Sequence, residues 1–128
     1  MSILLLIVLF FINKEVSAQS FLYQNEIGLF NSAYAFSINP SGYIYITDVA
    51  KNEIIKLDTL GNTLKTFGGY GFDNNSFDFP IDVNATTLNV YVADKFNDRI
   101  QIFDKDLNYI SSLSANSIDN DSYKFRYP

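Results

Sequence analysis

The chain has 128 residues, with 14 acidic against 9 basic side chains for a net charge of −5, and it contains no Cys, His or Trp. Without His or Cys the chain alone has no imidazole base, no Ser-His pair, no thiolate nucleophile, no His- or Cys-ligated metal and no disulfide scaffold. The acidic balance leaves no basic stripe to track phosphates, which argues against nucleic acid as a partner, and 48% apolar residues exclude a disordered chain.

Taken in chain order, the first element is a targeting segment. Ile3 through Ile12 is an unbroken apolar run of ten residues, followed by polar Asn13-Lys14-Glu15 and the small-residue stretch Val16-Ser17-Ala18. Such a run is about half the ~20 residues that cross a bilayer as a helix, and Val16 and Ala18 stand where a signal peptidase reads small residues. The pattern predicts a secretory signal peptide over 1–18, cleaved before Gln19, so that no membrane span remains; an uncleaved anchor is the alternative. Export without cysteine fits secretion, a bacterial periplasm or a cell surface.

Beyond it the chain repeats. At an offset of 46, Ile44-Tyr45-Ile46-Thr47-Asp48 falls over Val90-Tyr91-Val92-Ala93-Asp94, and Ile54-Ile55-Lys56-Leu57-Asp58 over Ile100-Gln101-Ile102-Phe103-Asp104. A period of this size marks repeat architecture, in which each unit is one supersecondary block unable to bury its surface alone. Within each unit four short β-prone runs alternate with turn residues, and nothing is helical in period. The runs lie at 34–39, 43–48, 53–58 and 63–67, then at 80–84, 89–94, 99–104 and 109–113. The first turn of the second unit reads as one residue longer, which predicts an offset of 45 before that turn and 46 after it. Adjacent apolar residues such as Ile54-Ile55 and Ile102-Phe103 predict sheets covered on both faces. Blades of a β-propeller meet that requirement, and a β-sandwich is the alternative.

Val90-Tyr91-Val92-Ala93-Asp94-Lys95-Phe96-Asn97-Asp98-Arg99-Ile100-Gln101-Ile102-Phe103-Asp104 resembles the NHL repeat: a strand ending in Ala-Asp, a short turn with Asn and Arg, then a strand ending in Phe-Asp. Ile44 through Asp48 with Asn52 resembles it too, with Glu53 in the usual Arg place and Lys56 in a normally apolar slot. The motif residues are then Asp48, Asn52, Asp94, Asn97, Arg99 and Asp104. The resemblance implies an all-β fold of two four-stranded antiparallel NHL-type repeats from a six-bladed propeller, which needs about 276 residues at this period. Two units are too few to close a ring, so the chain reads as the front of a longer product, a self-assembling two-blade protein being the alternative. The expected organisation is a signal peptide over 1–18, an N-terminal segment with a ring-closing outer strand over 19–33, and repeats with their inter-blade loops over 34–79 and 80–127. A third unit would begin at 128.

Candidate chemistry is sparse, and no catalytic or metal-binding residue stands out. Asp48 and Asp94 recur at strand ends before turns, where a carboxylate takes turn amides; this favours a structural role over catalysis. Asp104-Lys105-Asp106-Leu107-Asn108 begins like a calcium loop but has Tyr109 where Gly is essential, so it reads as a hairpin turn. No cofactor is implied, although loop oxygens such as those of Asp73-Asn74-Asn75 would suit a divalent cation such as calcium. On innermost propeller strands, Ser37, Asn39, Asp82 and Asn84 would line the axial channel, where a ligand binds. Tyr70, Phe72, Phe77 and Tyr123 lie on long loops and suit sugar or peptide recognition; packing between blades is the other reading. The resulting expectation is a secreted or periplasmic scaffold binding a protein, peptide or glycan. The alternative is a lactonase- or lyase-like propeller enzyme whose central metal site is completed by other blades.

Overall fold

The computed structural model describes residues 26–114. The expected signal peptide, the start of the N-terminal segment and the second long loop with Tyr123 lie outside the described residues.

Eight strands form in chain order: β1 (Ala33–Ile38), β2 (Ile44–Asp48), β3 (Glu53–Leu57), β4 (Thr63–Gly68), β5 (Pro80–Ala85), β6 (Asn89–Asp94), β7 (Arg99–Asp104) and β8 (Tyr109–Ser114). They make two four-stranded antiparallel meanders, β1-β2-β3-β4 and β5-β6-β7-β8. A 3-10 turn, Lys95–Asn97, links β6 to β7. Each sheet therefore matches one predicted unit, with strand limits within a residue or two of the sequence reading.

The register of the two sheets is the same in detail. Ile46 pairs with Ile55 and Val92 with Gln101, while Leu57 pairs with Thr63 and Phe103 with Tyr109 across a bulge, all at an offset of 46. Both β1 and β5 carry a bulge near their start, and there the offset is 47: Ala33 faces Asp48 as Pro80 faces Asp94. The expected offset of 45 is thus wrong in sign. The second unit closes β5–β6 with a tighter turn, in which the Thr86 amide donates to Asn89 O at 2.8 Å. The first unit needs one residue more because Asn39 Oδ1 gathers the Ser41 and Tyr43 amides at 3.1 and 3.0 Å, and Gly42 turns back at φ +87°.

Turn chemistry repeats as well. Asp58 Oδ1 accepts the Leu60 and Asn62 amides at 2.9 and 2.8 Å, and Asp104 Oδ1 accepts those of Asp106 and Asn108 at 2.8 and 2.9 Å. The left-handed position of this turn holds Gly61 (φ +87°) in one unit and Leu107 (φ +58°) in the other. Leu107 accepts that conformation because its side chain is fully buried in the core. Asn52 and Asp98 occupy the left-handed position of the β2–β3 and β6–β7 turns, where a short polar side chain is tolerated.

The core lies between the sheets. Tyr45 and Ile54 from the first sheet meet Val83, Val90, Val92 and Phe103 from the second, with Phe77 and Leu107 inserted from the connections. Phe67 and Phe103 meet edge to face at 5.0 Å, a favoured arrangement for buried rings. A second, smaller cluster of Ile46, Ile55 and Leu57 sits on the far side of the first sheet, with Phe30 and Ile44 against it. The far side of the second sheet is only half-buried at Tyr91, Ala93, Ile100 and Ile102. The expectation that both faces are covered holds for the middle strands of the first sheet and only in part for those of the second. The inner faces have each other; the outer face of the first sheet is buried at Ile46, Ile55 and Leu57, and that of the second is half-buried.

Candidate functional site

The strand ends that carry Asp48 and Asp94 gather most of the chemistry-bearing residues, for a local reason. Asp94 is fully buried and accepts from the Asp78 amide at 2.7 Å, from Asn97 Nδ2 at 2.8 Å and from Arg99 Nε at 2.8 Å. Arg99 then turns its remaining donors to the long loop, reaching Phe72 O at 3.0 Å, Asp73 O at 2.8 Å and Ser76 O at 2.9 Å. Gln101 Nε2 also donates to Ser76 O at 2.7 Å, and Asn97 Nδ2 to Gly71 O at 2.9 Å. A planar guanidinium with five donors can bind several carbonyls at once, so one buried ion pair pins the whole connection.

Asp48 does the simpler half of this. Its carboxylate takes the Asn31 and Ser32 amides at 2.7 and 3.1 Å and those of Ala50 and Lys51 at 3.2 and 3.3 Å. Glu53 stands where Arg99 stands in the second unit, so no guanidinium ties down a loop there. Asn52 Oδ1 accepts the Phe79 amide at 2.7 Å and so joins the first sheet to the start of β5. The carboxylates of Asp48 and Asp94 and the amide oxygen of Asn52 thus accept from this chain's own turns and loops and, for Asp94, from Arg99 and Gln101 of β7.

At the opposite end of the sheets, Asp104 closes the β7–β8 hairpin, and its neighbour Asp106 reaches the first sheet. Lys56 Nζ meets Asp106 Oδ1 at 2.7 Å and lies 4.3 Å from the Tyr43 ring centre. Lys65 Nζ donates to Asp106 O at 2.8 Å, and Tyr45 Oη donates to Lys105 O at 2.6 Å. Burial, followed by the nearby Asp106 charge, pushes the Tyr45 phenol up to about 12. Hydrogen bonds from Asn108 hold the Asp104 carboxyl below its usual range, and those from Lys56 and Lys105 do the same for Asp106. Lys56 in its apolar slot is therefore a clamp between the sheets.

The four expected channel residues lie on or beside β1 and β5, which meet across the two sheets. Ser37 Oγ accepts the Ala85 amide at 3.0 Å across the sheets, and Asn39 is buried in its own turn. Asp82 and Asn84 line a shallow, mainly apolar hollow of about 160 Å³ on the outer face of the second sheet, with Val83, Tyr91, Ala93 and Ile100. Among the described residues no three His, Cys, Asp or Glu side chains gather to hold a metal ion.

The loop aromatics divide. Phe77 is fully buried between the sheets and presents nothing to solvent, because its ring is needed in the core against Phe67 and Phe103. Tyr70 and Phe72 are 68% and 69% exposed and stand edge to face at 5.8 Å. Next to them is a group that sequence reasoning missed. Phe79 contacts Tyr34 at 6.1 Å and Phe96 at 5.3 Å, and Lys95 Nζ lies 5.2 Å from the Phe96 ring centre. Tyr34 and Phe96 are both more than half exposed. A signal was present: Phe96 sits in a turn between two strands, where a large exposed apolar side chain has no packing reason to be.

This aromatic end is rigid as well as exposed. The Asn97–Gly71 bond ties the turn bearing Phe96 to the loop bearing Tyr70 and Phe72, and both hang on the buried Asp94–Arg99 pair. Ring faces held in place at little entropic loss suit apolar side chains or the C–H faces of sugars. No family model matches the chain, and no curated protein matches it.

Proposed function

We propose that the chain is an exported NHL-type scaffold of propeller blades that binds a protein, peptide or glycan through its aromatic end; no catalytic step is assigned to it. The observation that carries this is the exposed ring group of Tyr34, Phe79 and Phe96 with Lys95, adjoining Tyr70 and Phe72 on a loop fixed by Arg99. Export is supported by the apolar run Ile3 to Ile12 and the small residues Val16 to Ala18. The blade reading is supported by two meanders of matching register packed face to face.

The test is binding of the full chain to an immobilised oligosaccharide panel and to a library of apolar peptides. Phe96→Ala and Tyr34→Ala should each weaken capture at least about tenfold, since buried aromatic anchors commonly contribute 2 kcal/mol or more. Their unfolding midpoints should stay within about 0.5 kcal/mol of the parent, as for surface changes. Capture by the variants equal to the parent's would reject the aromatic end as the binding surface.

A further inference from the structure

The ring group lies at the seam of the two units and is foreign to their common frame. Tyr34 comes from the start of β1, Phe79 from the residue before β5, and Lys95 and Phe96 from the turn between β6 and β7. The turn between β2 and β3 has the same length and register, Asp48 facing Glu53 as Asp94 faces Arg99. Both turns also end on a left-handed residue, Asn52 at φ +56° and Asp98 at φ +49°. Yet the first turn is built with Val49 and Ala50 where the second has Lys95 and Phe96, so the turn itself needs neither a cation nor a ring.

The site is held in place by strain. Phe79 has φ +63°, a conformation that bulky side chains rarely take. Asn52 Oδ1 keeps it there by accepting its amide at 2.7 Å, and the Lys95 amide donates to its carbonyl at 3.3 Å. The Phe96 amide meanwhile donates to Asp78 O at 3.0 Å, so that both phenylalanines are fixed from both units.

Lys95 gives this end its charge. Its Nζ lies 5.6 Å from the Phe79 ring centre and 5.2 Å from that of Phe96, and among the described residues it pairs with no carboxylate. Two ring faces narrow where the ammonium can go, but they leave its hydrogen-bond donors to be met from outside. The rings also discriminate by shape. The planes of Tyr34 and Phe79 meet at 62°, those of Tyr70 and Phe72 at 71° and those of Phe79 and Phe96 at 38°, so no pair forms a flat platform. A sugar ring stacks on an open flat face, and Lys95 already covers Phe79 and Phe96; an apolar side chain fits between tilted rings.

We infer that the partner is a peptide segment in which an apolar anchor stands next to a single Asp or Glu, the anchor entering among the rings and the carboxylate meeting Lys95 Nζ. Lys95 is then the residue that sets specificity. A run of acids is disfavoured, because the chain carries a net charge of −5 and Asp78 and Asp98 flank this turn; one carboxylate takes the local pair without meeting that repulsion in full. The inference rests on binding at the aromatic end and names its partner.

Three dye-labelled heptapeptides, acetylated and amidated to remove terminal charges, test it against the full chain by fluorescence anisotropy. Each has one Phe in a Gly-Ser spacer, followed by Asp, Asn or Lys. The Asp peptide should bind at least about fivefold more tightly than the Asn peptide, the scale of a favourable ion pair at a half-exposed site, with the Lys peptide weakest. Lys95→Gln should erase the difference between Asp and Asn, and Lys95→Glu should reverse the order of Asp and Lys, with circular dichroism unchanged in both. Equal binding of the three peptides, or an order that Lys95→Glu leaves intact, overturns the inference; if Phe96→Ala still weakens binding, the aromatic end stands as the surface. Capture of oligosaccharides and of none of the peptides likewise overturns the inference alone, whereas capture of neither overturns both.

Discussion

Replacing Asp94 by Ala removes a fully buried carboxylate that serves the Asp78 amide, Asn97 and Arg99 together. Arg99 keeps its carbonyl partners but loses the carboxylate paired with its Nε, and it is itself 7% exposed. Stranding a buried charge in this way costs about 3–5 kcal/mol, a large part of the 5–15 kcal/mol that holds a small domain folded. Asp48→Ala is the internal control. Its carboxylate holds four backbone amides and no cation, so the loss is that of a buried acceptor, about 1–3 kcal/mol. The difference of about 2 kcal/mol corresponds to more than a tenfold change in the folding equilibrium. Urea unfolding followed by circular dichroism and tyrosine fluorescence suits a chain with nine Tyr and no Trp. If Asp94→Ala destabilises no more than Asp48→Ala, the guanidinium is not held by that carboxylate in solution and the account of the fixed loop fails.

Two further outcomes follow from the clamp between the sheets. Lys56→Met should leave stability within about 1 kcal/mol of the parent or raise it, because apolar replacement of a buried ion-pair member is tolerated when its partner can return to water. Asp106 is 53% exposed and can do so, and the matching residue of the second unit is Ile102; a loss above about 3 kcal/mol in urea unfolding contradicts this. The Tyr45 phenol is raised from 10.0 to about 12, so the folded state holds this proton more tightly than the unfolded state. Stability should therefore decline as pH rises from 10 towards 12, and Tyr45→Phe should flatten that decline in urea midpoints measured across the window. A slope unchanged by the substitution would place the alkaline transition elsewhere.

Much of the fold was legible because strands announce themselves locally. The alternation of β-prone runs with Asp-Asn and Pro-Ser-Gly turns predicts eight strands in two units, and eight antiparallel strands in two sheets are observed. The first turn was misjudged because turn length is set by which side chain captures which amide. Asn39 and Thr86 make different captures, and neither shows in an offset count. The structural use of Asp48 and Asp94 was readable from their recurrence before turns. The fate of Ser37, Asn39, Asp82 and Asn84 was not, since alternation along a strand tells which residues share a face but not what that face meets.

What the sequence by itself determined is the class of elements, their repeat, and the absence of imidazole and thiol chemistry, all of which depend on residue identity and near neighbours. Tertiary structure alone decided that Phe77 is core while Phe96 is surface, that Lys56 belongs to Asp106 fifty residues away, and that Arg99 fixes the aromatic loop. These depend on how two sheets meet, and contacts between residues far apart in the chain are chosen by packing and burial, which no local pattern encodes.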